Sequence, residues 1–295
     1  MISVGIIGAG WWAGEHAKAV ADVPGLRLAA VASRSPERLA AFGREHGVTG
    51  ESDYRQLLAR ADIDAVAIAT PHDTHASLAI AALDAGKHVL LEKPMARDRA
   101  ECAAIAAAAR RSSATCMVGF THHFIPAMAA TKELLARGEV GAIISGFCAH
   151  TQSWGWERRP AFYRERDLGG GVWLTLGVHF VDRLLWLLDA EVVGVKAAIG
   201  RRIHRPEEHN ADDAATVHLE FADGATGTVI VAGQRSGPNW SEMRLLGERG
   251  LIRLDAQGLA IGGGGEWRAV PVPDDNPMAL EWAAFARAIE AGTPP

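Results

Sequence analysis

The 295-residue chain has little of what several protein classes require. Its three cysteines, Cys102, Cys116 and Cys148, are widely spaced, and each lies in an apolar stretch. Such cysteines indicate reduced thiols of a cytoplasmic protein rather than a disulfide framework or a zinc knuckle. No uninterrupted apolar run is long enough for a membrane span, and the first residues lack the charged region of a signal peptide. We therefore expect neither a membrane segment nor secretion.

Basic residues are slightly fewer than acidic ones and are not clustered. The chain has 30 lysine and arginine residues against 35 acidic ones, a net charge of −5, and no basic block or stripe. Binding to nucleic acid or to an anionic membrane therefore has no support in the sequence. Apolar residues make up 48% and charged residues 22%, which is typical of a globular protein with enough chain for two cores.

The pattern of elements changes near residue 120. Before that point, short apolar strands alternate with amphipathic helices, which predicts a parallel sheet covered on both faces. After it come helices and strands with period-2 character, including a hairpin at Ala222-Asp223-Gly224. We predict an α/β protein with a dinucleotide-type domain over residues 1–120 and an α+β domain with a mostly antiparallel sheet over residues 121–295.

A glycine-rich turn joins the first predicted strand to the first predicted helix. The segment Gly8-Ala9-Gly10-Trp11-Trp12-Ala13 matches the pattern G-x-G-x-x-G/A. The first glycine of this pattern makes a tight turn, and the second lets a pyrophosphate approach the backbone. The small third residue allows close helix–strand packing, and free N–H groups at the helix start bind the anion. The turn therefore predicts a dinucleotide site.

The residues after the second strand bear on the choice between NAD and NADP. An acid at this point would meet the ribose hydroxyls of NAD, but the chain reads Ser33-Arg34-Ser35, with Arg38 one turn into the next helix. Ser33 can hydrogen-bond a 2′-phosphate, and Arg34 or Arg38 can pair with it. We expect a preference for NADP(H), with NAD(H) as the alternative if both arginines are only solvated helix-start residues.

Two further loops follow the fourth and fifth predicted strands, namely Thr70-Pro71-His72-Asp73-Thr74-His75 and Glu92-Lys93-Pro94. Loops at the carboxyl ends of parallel strands line the crevice in which open α/β sheets bind ligands. Lys93 is one of only five lysines. A lysine held at this edge would place a positive charge near a substrate oxygen, although many edge lysines are simply solvated.

Together these residues resemble the glucose-fructose oxidoreductase / inositol dehydrogenase family, commonly called Gfo/Idh/MocA. The resemblance implies a Rossmann domain followed by a mostly antiparallel sheet domain, with a nicotinamide cofactor across the first and a sugar or polyol between the two. It also implies a homodimer or homotetramer formed through the open face of the second sheet. The matching segments are Gly8 to Ala13, Thr70-Pro71-His72 with His75, Ala85 to Val89 running into Glu92-Lys93-Pro94, Val118-Gly119-Phe120, Gly169-Gly170-Gly171, and Gly177-Val178-His179.

The resemblance further implies roles for individual residues. Lys93 and His179 would be the catalytic pair, with His179 as base or acid and Lys93 orienting the substrate. A histidine on an amphipathic helix can also be an ordinary core residue. The residues expected to contact the cofactor are Gly8, Gly10, Trp11, Trp12, Ser33, Arg34, Arg38, Thr70, Pro71, His72, His75, Glu92 and Lys93. Those expected to contact the substrate are Lys93, His123, Tyr163, Thr175 and His179.

The second half departs from the family pattern at two positions in the site. Thr175 stands four residues before His179, where many members carry an aspartate. Either the substrate differs from a simple inositol, or the proton path uses Lys93 or Tyr163. Asp182 could orient the His179 ring, although it is expected to face the sheet. His123 replaces a frequent arginine and is expected in the substrate pocket or in a surface loop. No metal site is predicted at His122-His123, because no carboxylate or cysteine is spaced to complete it.

Two other segments are unusual. The aromatic and basic loop from Trp154 to Arg164 suits a sugar ring and an anionic group, or else packing at a domain or subunit interface. The chain ends at Thr293-Pro294-Pro295, whereas relatives usually continue for several tens of residues after a helix like Trp282 to Glu290.

The sequence thus predicts a cytoplasmic, NADP(H)-preferring oxidoreductase that transfers a hydride to or from a hydroxyl or carbonyl group of a sugar, cyclitol or related small molecule. Two alternatives stay open. One is an enzyme that retains its cofactor and uses transient oxidation for elimination or glycoside cleavage. The other is a non-catalytic regulator that binds the dinucleotide.

Overall fold

The computed structural model describes residues 1–205 and 207–293, which form two compact units. The first unit comprises Met1–Thr121 together with the segment that begins at Asn276, and the second is His122–Asp275. Pro294 and Pro295, with which the predicted second domain ends, lie outside the described residues.

The first unit is built on a six-stranded parallel sheet in the order β3-β2-β1-β4-β5-β6. Strands β1 and β4 are buried along their whole length, which explains their near-continuous apolar sequences. The direction of strand order reverses between β1 and β4, the point at which open α/β sheets bind ligands. The strands are β1 (Ile2–Ile7), β2 (Leu26–Ala32), β3 (Thr49–Glu51), β4 (Ala65–Ile68), β5 (His88–Glu92) and β6 (Cys116–Gly119).

Local capping signals set the ends of the helices in this unit. The Ser35 hydroxyl accepts a hydrogen bond from the Arg38 N–H at 3.3 Å, Pro36 occupies the first helical position, and Gly47 ends the helix in a left-handed conformation. The helices are α1 (Trp11–Asp22), α2 (Pro36–His46), α3 (Tyr54–Ala59), α4 (His75–Asp84) and α5 (Arg99–Arg111).

The C-terminal helix of the described chain, Pro277–Ala291, also belongs to the first unit, whereas the predicted domain division assigned it to the second. The indole N–H of Trp282, buried at its centre, donates to Nδ1 of His16 on α1 at 3.1 Å. Nearby, Glu281 is bonded to Thr121. The helix buries its apolar face against α1, so it joins the Rossmann unit in space despite its distance in sequence.

The second unit is an eight-stranded sheet in the order β14-β13-β12-β11-β7-β10-β9-β8. All neighbours are antiparallel except β7 and β10, which run parallel, so the predicted mostly antiparallel sheet is confirmed. Two helices, α6 (Pro126–Ala136) and α7 (Val178–Leu188), precede β7 and β8 respectively. The strands are β7 (Ile143–Ser153), β8 (Val192–Gly200), β9 (Ala214–Phe221), β10 (Thr226–Gln234), β11 (Trp240–Gly247), β12 (Leu251–Asp255), β13 (Gly258–Gly263) and β14 (Glu266–Ala269).

The hairpin predicted at Ala222-Asp223-Gly224 is present between β9 and β10. Gly224 has φ of 88° in the turn between β9 and β10, where a residue with a Cβ would be strained. A second tight turn, Gly247-Glu248-Arg249-Gly250, joins β11 to β12. β8 and β14 lie at the two edges of the sheet.

One stretch of the described residues, Arg166–Leu188, is long and apolar enough to pass a composition test for a membrane span, with a mean hydropathy of 1.3. Half of its most apolar window is buried inside the unit. Core helices of globular units pass the same test, so the stretch is only a weak indication of a span.

Candidate active site

The glycine turn after β1 has the geometry that its sequence predicts. Gly8 has φ of 118°, and a Cβ placed there would lie 2.2 Å from the backbone oxygen of Ala69, just beyond β4. Its N–H donates to the Ala32 carbonyl at the end of β2. Ala13 is fully buried, consistent with its predicted role in close helix–strand packing. Only glycine fits at position 8, because both the backbone angle and the neighbouring strand exclude a side chain.

Gly10 is a different case, since no protein atom lies within 4 Å of a Cβ built there and its backbone is extended. Neither packing nor conformation therefore requires glycine. Gly10 is the N-cap of α1, and it has no side chain to cap the first N–H groups; the first turn also carries no acid. The result is an open, uncapped helix start suited to a pyrophosphate, so the residues present fit a dinucleotide.

The two tryptophans that follow are arranged at this helix start. Trp11 is 70% exposed, and its ring meets that of Trp12 edge-on at 4.6 Å. A large aromatic ring exposed beside an anion-binding turn is available to a ligand. The structure thus brings together Gly8, Gly10, Trp11 and Trp12 as the sequence predicts.

At the end of β2, the predicted phosphate-binding residues are accessible. Ser33 is half-buried and its N–H donates to the Glu51 carbonyl, while its hydroxyl accepts a hydrogen bond from the Ser35 N–H at 3.3 Å. Arg34 and Arg38 are exposed, and neither guanidinium forms an ion pair with any described residue. Two exposed arginines without an ion-pair partner among the described residues therefore follow Ser33 in the chain.

His75 ties together the loops after β4 and β5. Its Nδ1 lies 2.8 Å from the Pro94 carbonyl and its Nε2 lies 3.0 Å from the Thr70 carbonyl. Burial lowers the pKa of His75, against the opposing effect of these two carbonyls. The side chain is 0% exposed. His75 was predicted to contact the cofactor, but it is enclosed and acts by positioning Thr70 and Pro94 at the edge of the sheet.

The other predicted residues of these loops remain at that edge. Thr70 and Pro71 are half-buried, and the Thr74 hydroxyl donates to Thr70 Oγ1 at 2.7 Å. The His72 ring is buried and meets the His75 ring edge-on at 5.6 Å. Lys93 is buried at the end of β5.

A chain of hydrogen bonds through Trp282, His16 and Glu92, called the relay below, holds the backbone of Lys93. The Trp282 indole donates to Nδ1 of His16, so the proton of His16 is on Nε2, which lies 3.1 Å from Glu92 Oε1. The second oxygen of Glu92 accepts the Lys93 backbone N–H at 3.1 Å. Burial is the largest single effect and would raise the pKa of Glu92, but the His16 hydrogen bond and the neighbouring charges, that of Lys93 among them, together lower it. Glu92, predicted as a cofactor contact, thus holds the Lys93 backbone in place.

The relay and its neighbour Glu281 were not predicted from the sequence. Glu281 is 0% exposed, and both its oxygens lie within hydrogen-bond distance of the Thr121 hydroxyl, at 3.2 and 3.3 Å. Burial, and secondarily the charge of Glu92, raises the pKa of Glu281 to about 8. His16 and Trp282 are separated by 266 positions in the chain, so no local pattern could have connected them.

In the second unit, His179 lies at the start of α7, directly after a π-helical turn over Trp173–Gly177. Gly171, two residues before this turn, has φ of 106°, and a Cβ there would lie 2.3 Å from a carboxylate oxygen of Asp212. The other oxygen of Asp212 accepts the Trp173 N–H at 2.7 Å. π-helical turns are frequent at functional sites. This one places Thr175 inside the turn, buried like His179.

A second imidazole stacks on His179. The rings of His122 and His179 are 3.9 Å apart at 29°. Nδ1 of His122 accepts a hydrogen bond from Nε of Arg183 at 3.0 Å, which places the His122 proton on Nε2. Burial lowers the pKa of Arg183, whose guanidinium also lies 4.7 Å from the Phe180 ring. His122 and Arg183 are therefore positioning groups for His179 that the sequence did not reveal.

His123 is held by a different set of residues. Its Nε2 lies 2.7 Å from Asp182, and its ring stacks on Trp186 at 4.4 Å. Asp182, which was considered as a partner for His179, thus pairs with His123. These contacts fix the His123 ring on α7, and its predicted contact with substrate stays a prediction.

The aromatic loop is part of the core of the second unit rather than a stacking platform. Trp154 and Trp156 are buried, and the guanidinium of Arg159 lies 3.7 Å from the Trp154 ring. Tyr163 is half-buried between Arg159 and Trp154. These aromatic side chains therefore pack within the second unit, which neither interpretation of the loop predicted, and the predicted contact of Tyr163 with substrate stays a prediction.

Two family models match the chain. One, described as an oxidoreductase family with an NAD-binding Rossmann fold, matches residues 2–120, and the other, the GFO/IDH/MocA C-terminal domain, matches residues 128–253. The chain belongs to the Gfo/Idh/MocA oxidoreductases. Its first unit is an NAD-binding Rossmann domain, and the predicted family and fold class are confirmed.

Named relatives support this assignment. The chain is 32% identical to the NAD(+)-dependent scyllo-inositol 2-dehydrogenase of Bacillus subtilis, over 84% of this chain and 72% of that enzyme. It is 29% identical to the levoglucosan dehydrogenase of Pseudarthrobacter phenanthrenivorans, over 81% and 69% of the two chains. It is also 29% identical to the inositol 2-dehydrogenase of Rhizobium meliloti, over 99% and 89%.

Solved structures agree with these relatives. Levoglucosan dehydrogenase in complex with NADH superimposes with a TM-score of 0.92 at 26% identity, covering 100% of this chain and 91% of that one. A 3-ketoreductase from Actinomadura kijaniata, in complex with NADP and TDP-benzene, superimposes with a TM-score of 0.88 at 26% identity and the same coverage. Relatives of this chain therefore include proteins solved with either dinucleotide.

Proposed function

We propose that this Gfo/Idh/MocA protein is an NADP(H)-preferring dehydrogenase or reductase acting on a hydroxyl or carbonyl group of a sugar or cyclitol. The open start of α1 at Gly10 carries the dinucleotide part of the proposal, because no internal contact accounts for the missing side chain. The relatives named as inositol and levoglucosan dehydrogenases support the substrate class.

The preference for NADP(H) rests on the end of β2. The residue after β2 is Ser33, so no carboxylate occupies the position that would repel a 2′-phosphate. Arg34 and Arg38 are exposed and make no ion pair with described residues, so their charges are available to a phosphate. The Ser33 hydroxyl supplies a hydrogen-bond partner at the same place.

Ser33→Asp tests this preference. The variant should lower the affinity for NADP(H) at least tenfold and leave NAD(H) binding unchanged or stronger, measured by fluorescence titration of each reduced dinucleotide. Ser113→Asp is the matched control, since Ser113 is exposed in the turn before β6, at the amino edge of the same sheet. Unchanged NADP(H) selectivity in Ser33→Asp would refute the assignment.

In the proposed reaction, the bound nicotinamide dinucleotide supplies the hydride acceptor or donor. Lys93 and His179 then do the remaining work on the substrate. The Lys93 ammonium fixes the substrate oxygen and stabilises negative charge that develops on it. His179 accepts the hydroxyl proton during oxidation and returns it during reduction. Thr175 can hydrogen-bond the substrate but adds no charge.

The relay residues and the His122–Arg183 pair have positioning roles that follow from their contacts. Trp282, His16 and Glu92 hold the backbone of Lys93, and Arg183 holds His122 against His179. These residues orient the two reacting side chains and do not themselves exchange protons with substrate.

Lys93→Met and His179→Asn test the catalytic assignment. Each should lower kcat on an active polyol by at least 100-fold. NADP(H) affinity should change little in His179→Asn, which alters no predicted cofactor contact, and in Lys93→Met it should fall by much less than kcat. His218→Asn, on β9, is the matched histidine control. Tight dinucleotide binding with no turnover across a panel of polyols and ketones would favour the regulator. A stoichiometric 340 nm chromophore in the purified protein would favour the cofactor-retaining enzyme.

Assembly through the second sheet completes the proposal. Leu246 lies opposite Leu251, Leu251 opposite Gly262, and Gly262 opposite Trp267, so these side chains share one face of the sheet. Leu246, Trp267 and Trp240 are all exposed. Exposed apolar groups aligned on one sheet face favour burial against a second copy, which gives a homodimer or homotetramer.

The proposed location is the cytoplasm. All three cysteines are free thiols, and burial raises the pKa of Cys116 to about 11 and that of Cys148 to about 12. Thiols that are protonated and buried are stable in a reducing compartment. Fractionation of cells that express the tagged protein tests this location directly.

A further inference from the structure

Three side chains that can ligate a metal lie together in the second unit, outside the groups assigned above. One ligand atom each of His204, His209 and Asp213 falls within 4.8 Å of the other two. His204 and His209 lie in the loop between β8 and β9, and Asp213 immediately precedes β9. The side chains of His204 and Asp213 are 4% and 0% exposed, and His209 is 5% exposed. The cluster is therefore shielded from solvent.

His209 presents an unsatisfied nitrogen to this cluster. Its Nδ1 lies 2.9 Å from the Ala211 carbonyl, which can only accept, so Nδ1 carries the proton and Nε2 carries a lone pair. That Nε2 is buried and has no hydrogen-bond partner among the described residues. Buried acceptors without partners are rare, and a ring whose other nitrogen donates to a carbonyl is the usual form of a metal-bound histidine.

His204 offers its other ring nitrogen. Its Nδ1 lies 3.1 Å from Oδ2 of Asp213, close to the separation of two donors on one ion. Without an ion these two atoms share a proton, which a bound metal would displace. Oδ2 also accepts the backbone N–H groups of Ile203 and His204. Among the described residues, Oδ1 accepts the Arg202 N–H alone, at 2.6 Å, and keeps a second lone pair. Hydrogen bonds of this kind hold a ligating carboxylate in place.

Packing fixes both rings before any ion arrives. The Trp156 ring stacks on His209 at 3.9 Å and 9°, and it meets His204 at 5.2 Å. The two imidazoles are 5.2 Å apart. The guanidinium of Arg201 is bonded to the His209 carbonyl at 2.6 Å rather than to a ring nitrogen. Rings locked by packing lose little freedom when they bind a ligand, which favours a preformed site.

We propose that His204, His209 and Asp213 form a binding site for a divalent transition-metal ion of the Zn²⁺ class. Two imidazole nitrogens and one carboxylate oxygen are the donors that such ions prefer, whereas Ca²⁺ and Mg²⁺ take oxygen ligands. Zn²⁺–ligand distances of roughly 2.0–2.2 Å place tetrahedral donors about 3.4 Å apart, so the observed spacing needs only small side-chain rotations. Water completes the coordination. The ion would tie the loop between β8 and β9 to the start of β9.

The test uses the full chain after removal of metal with a chelator, and Zn²⁺ alone as the probe. We expect one equivalent of Zn²⁺ to bind in competition with a chromophoric chelator, and Zn²⁺ to raise Tm. Mg²⁺ at the same concentration should not raise it. His209→Phe preserves ring packing on Trp156 but lacks Nε2, so its affinity for Zn²⁺ should fall at least 100-fold. His218→Phe, on β9 outside the cluster, should bind like the parent.

A second variant keeps the proposal testable if His209→Phe does not fold. His204→Gln removes the other imidazole and should also weaken Zn²⁺ binding at least 100-fold. Co²⁺ bound to the parent should show the visible absorption of a tetrahedral N/O site, and each cluster variant should lack it. Absence of saturable Zn²⁺ binding, or equal binding by the parent and both cluster variants, overturns the site. Equal loss in His218→Phe would identify the binding as non-specific and overturn it as well.

Discussion

The buried carboxyl of Glu281 makes the stability of the first unit depend on pH in a direction opposite to that of most acidic groups. Its folded-state pKa is about 8 against an ordinary value of 4.5, mainly because the group is removed from water. Between these two values, the unfolded chain releases a proton that the folded chain retains. Stability is therefore fully present below pH 4.5 and is lost progressively as the pH rises towards 8.

The magnitude follows from the same two values. Each pH unit within the interval costs about 1.4 kcal/mol of unfolding free energy, which gives about 5 kcal/mol across the whole interval. Between pH 5.5 and 7.5 the expected loss from this one group is about 2.5 kcal/mol. Glu281→Gln has nearly the same shape, keeps a partner for the Thr121 hydroxyl, and cannot ionise.

The assay compares urea unfolding of the parent and of Glu281→Gln at pH 5.5 and pH 7.5. The variant should gain about 2.5 kcal/mol relative to the parent between the two pH values. Glu290→Gln, which changes an exposed carboxyl on the same C-terminal helix, should show no such gain. A difference between Glu281→Gln and the parent that is the same at both pH values would refute the assignment of a neutral, buried carboxyl.

Three further predictions concern the turn, the relay and the sheet face. Gly10→Ala should reduce dinucleotide affinity at least tenfold in fluorescence titrations and lower the free energy of unfolding by about 1 kcal/mol or less. Gly8→Ala should lower the free energy of unfolding in urea by about 3 kcal/mol or more, because of its backbone angle and the nearby carbonyl. His16→Leu should destabilise the chain by about 3 kcal/mol in the same unfolding assay, since it leaves the Glu92 carboxylate without its buried partner. Leu246→Glu should shift the particle mass towards the monomer in light scattering, and Ile144→Glu, an exposed apolar position on the opposite face of the sheet, should not.

Each grouped prediction has an outcome that would contradict it. Dinucleotide affinity in Gly10→Ala equal to that of the parent would remove the reason for a glycine at the start of α1. Parent-like stability of His16→Leu would mean that the Glu92 carboxylate does not depend on the relay. An unchanged mass for Leu246→Glu would place any subunit interface elsewhere.

Local features of the fold were predictable because neighbouring residues determine them. The Ser35 cap and Pro36 start α2, the glycine turn follows β1, and Asp223-Gly224 closes a hairpin. Strands at the sheet edges were harder to recognise. β8, for example, exposes most of its residues and so lacks the buried periodicity that marks a strand.

The site was predictable only in part. The turn residues and the loops at the carboxyl ends of β4 and β5 follow from the strand–helix pattern, since that pattern fixes which loops share an edge. Whether a residue in such a loop faces a ligand or its neighbours is decided elsewhere. His75 bonds two backbone carbonyls, and Glu92 bonds His16. Sequence spacing does not show whether a loop side chain faces a ligand or bonds to its neighbours, as these two do.

By itself, the sequence determined the parallel sheet, the glycine turn after β1 and the family, because these depend on short-range spacing and on conformations that few residues can adopt. Tertiary structure alone decided which distant groups meet. It brought Trp282 to His16, buried Trp154 and Trp156 in the core, and gathered His204, His209 and Asp213 around one point. The physical reason is that an apolar or polar pattern along the chain shows that a residue is buried or exposed, but the partner that satisfies it is chosen by packing across the whole unit.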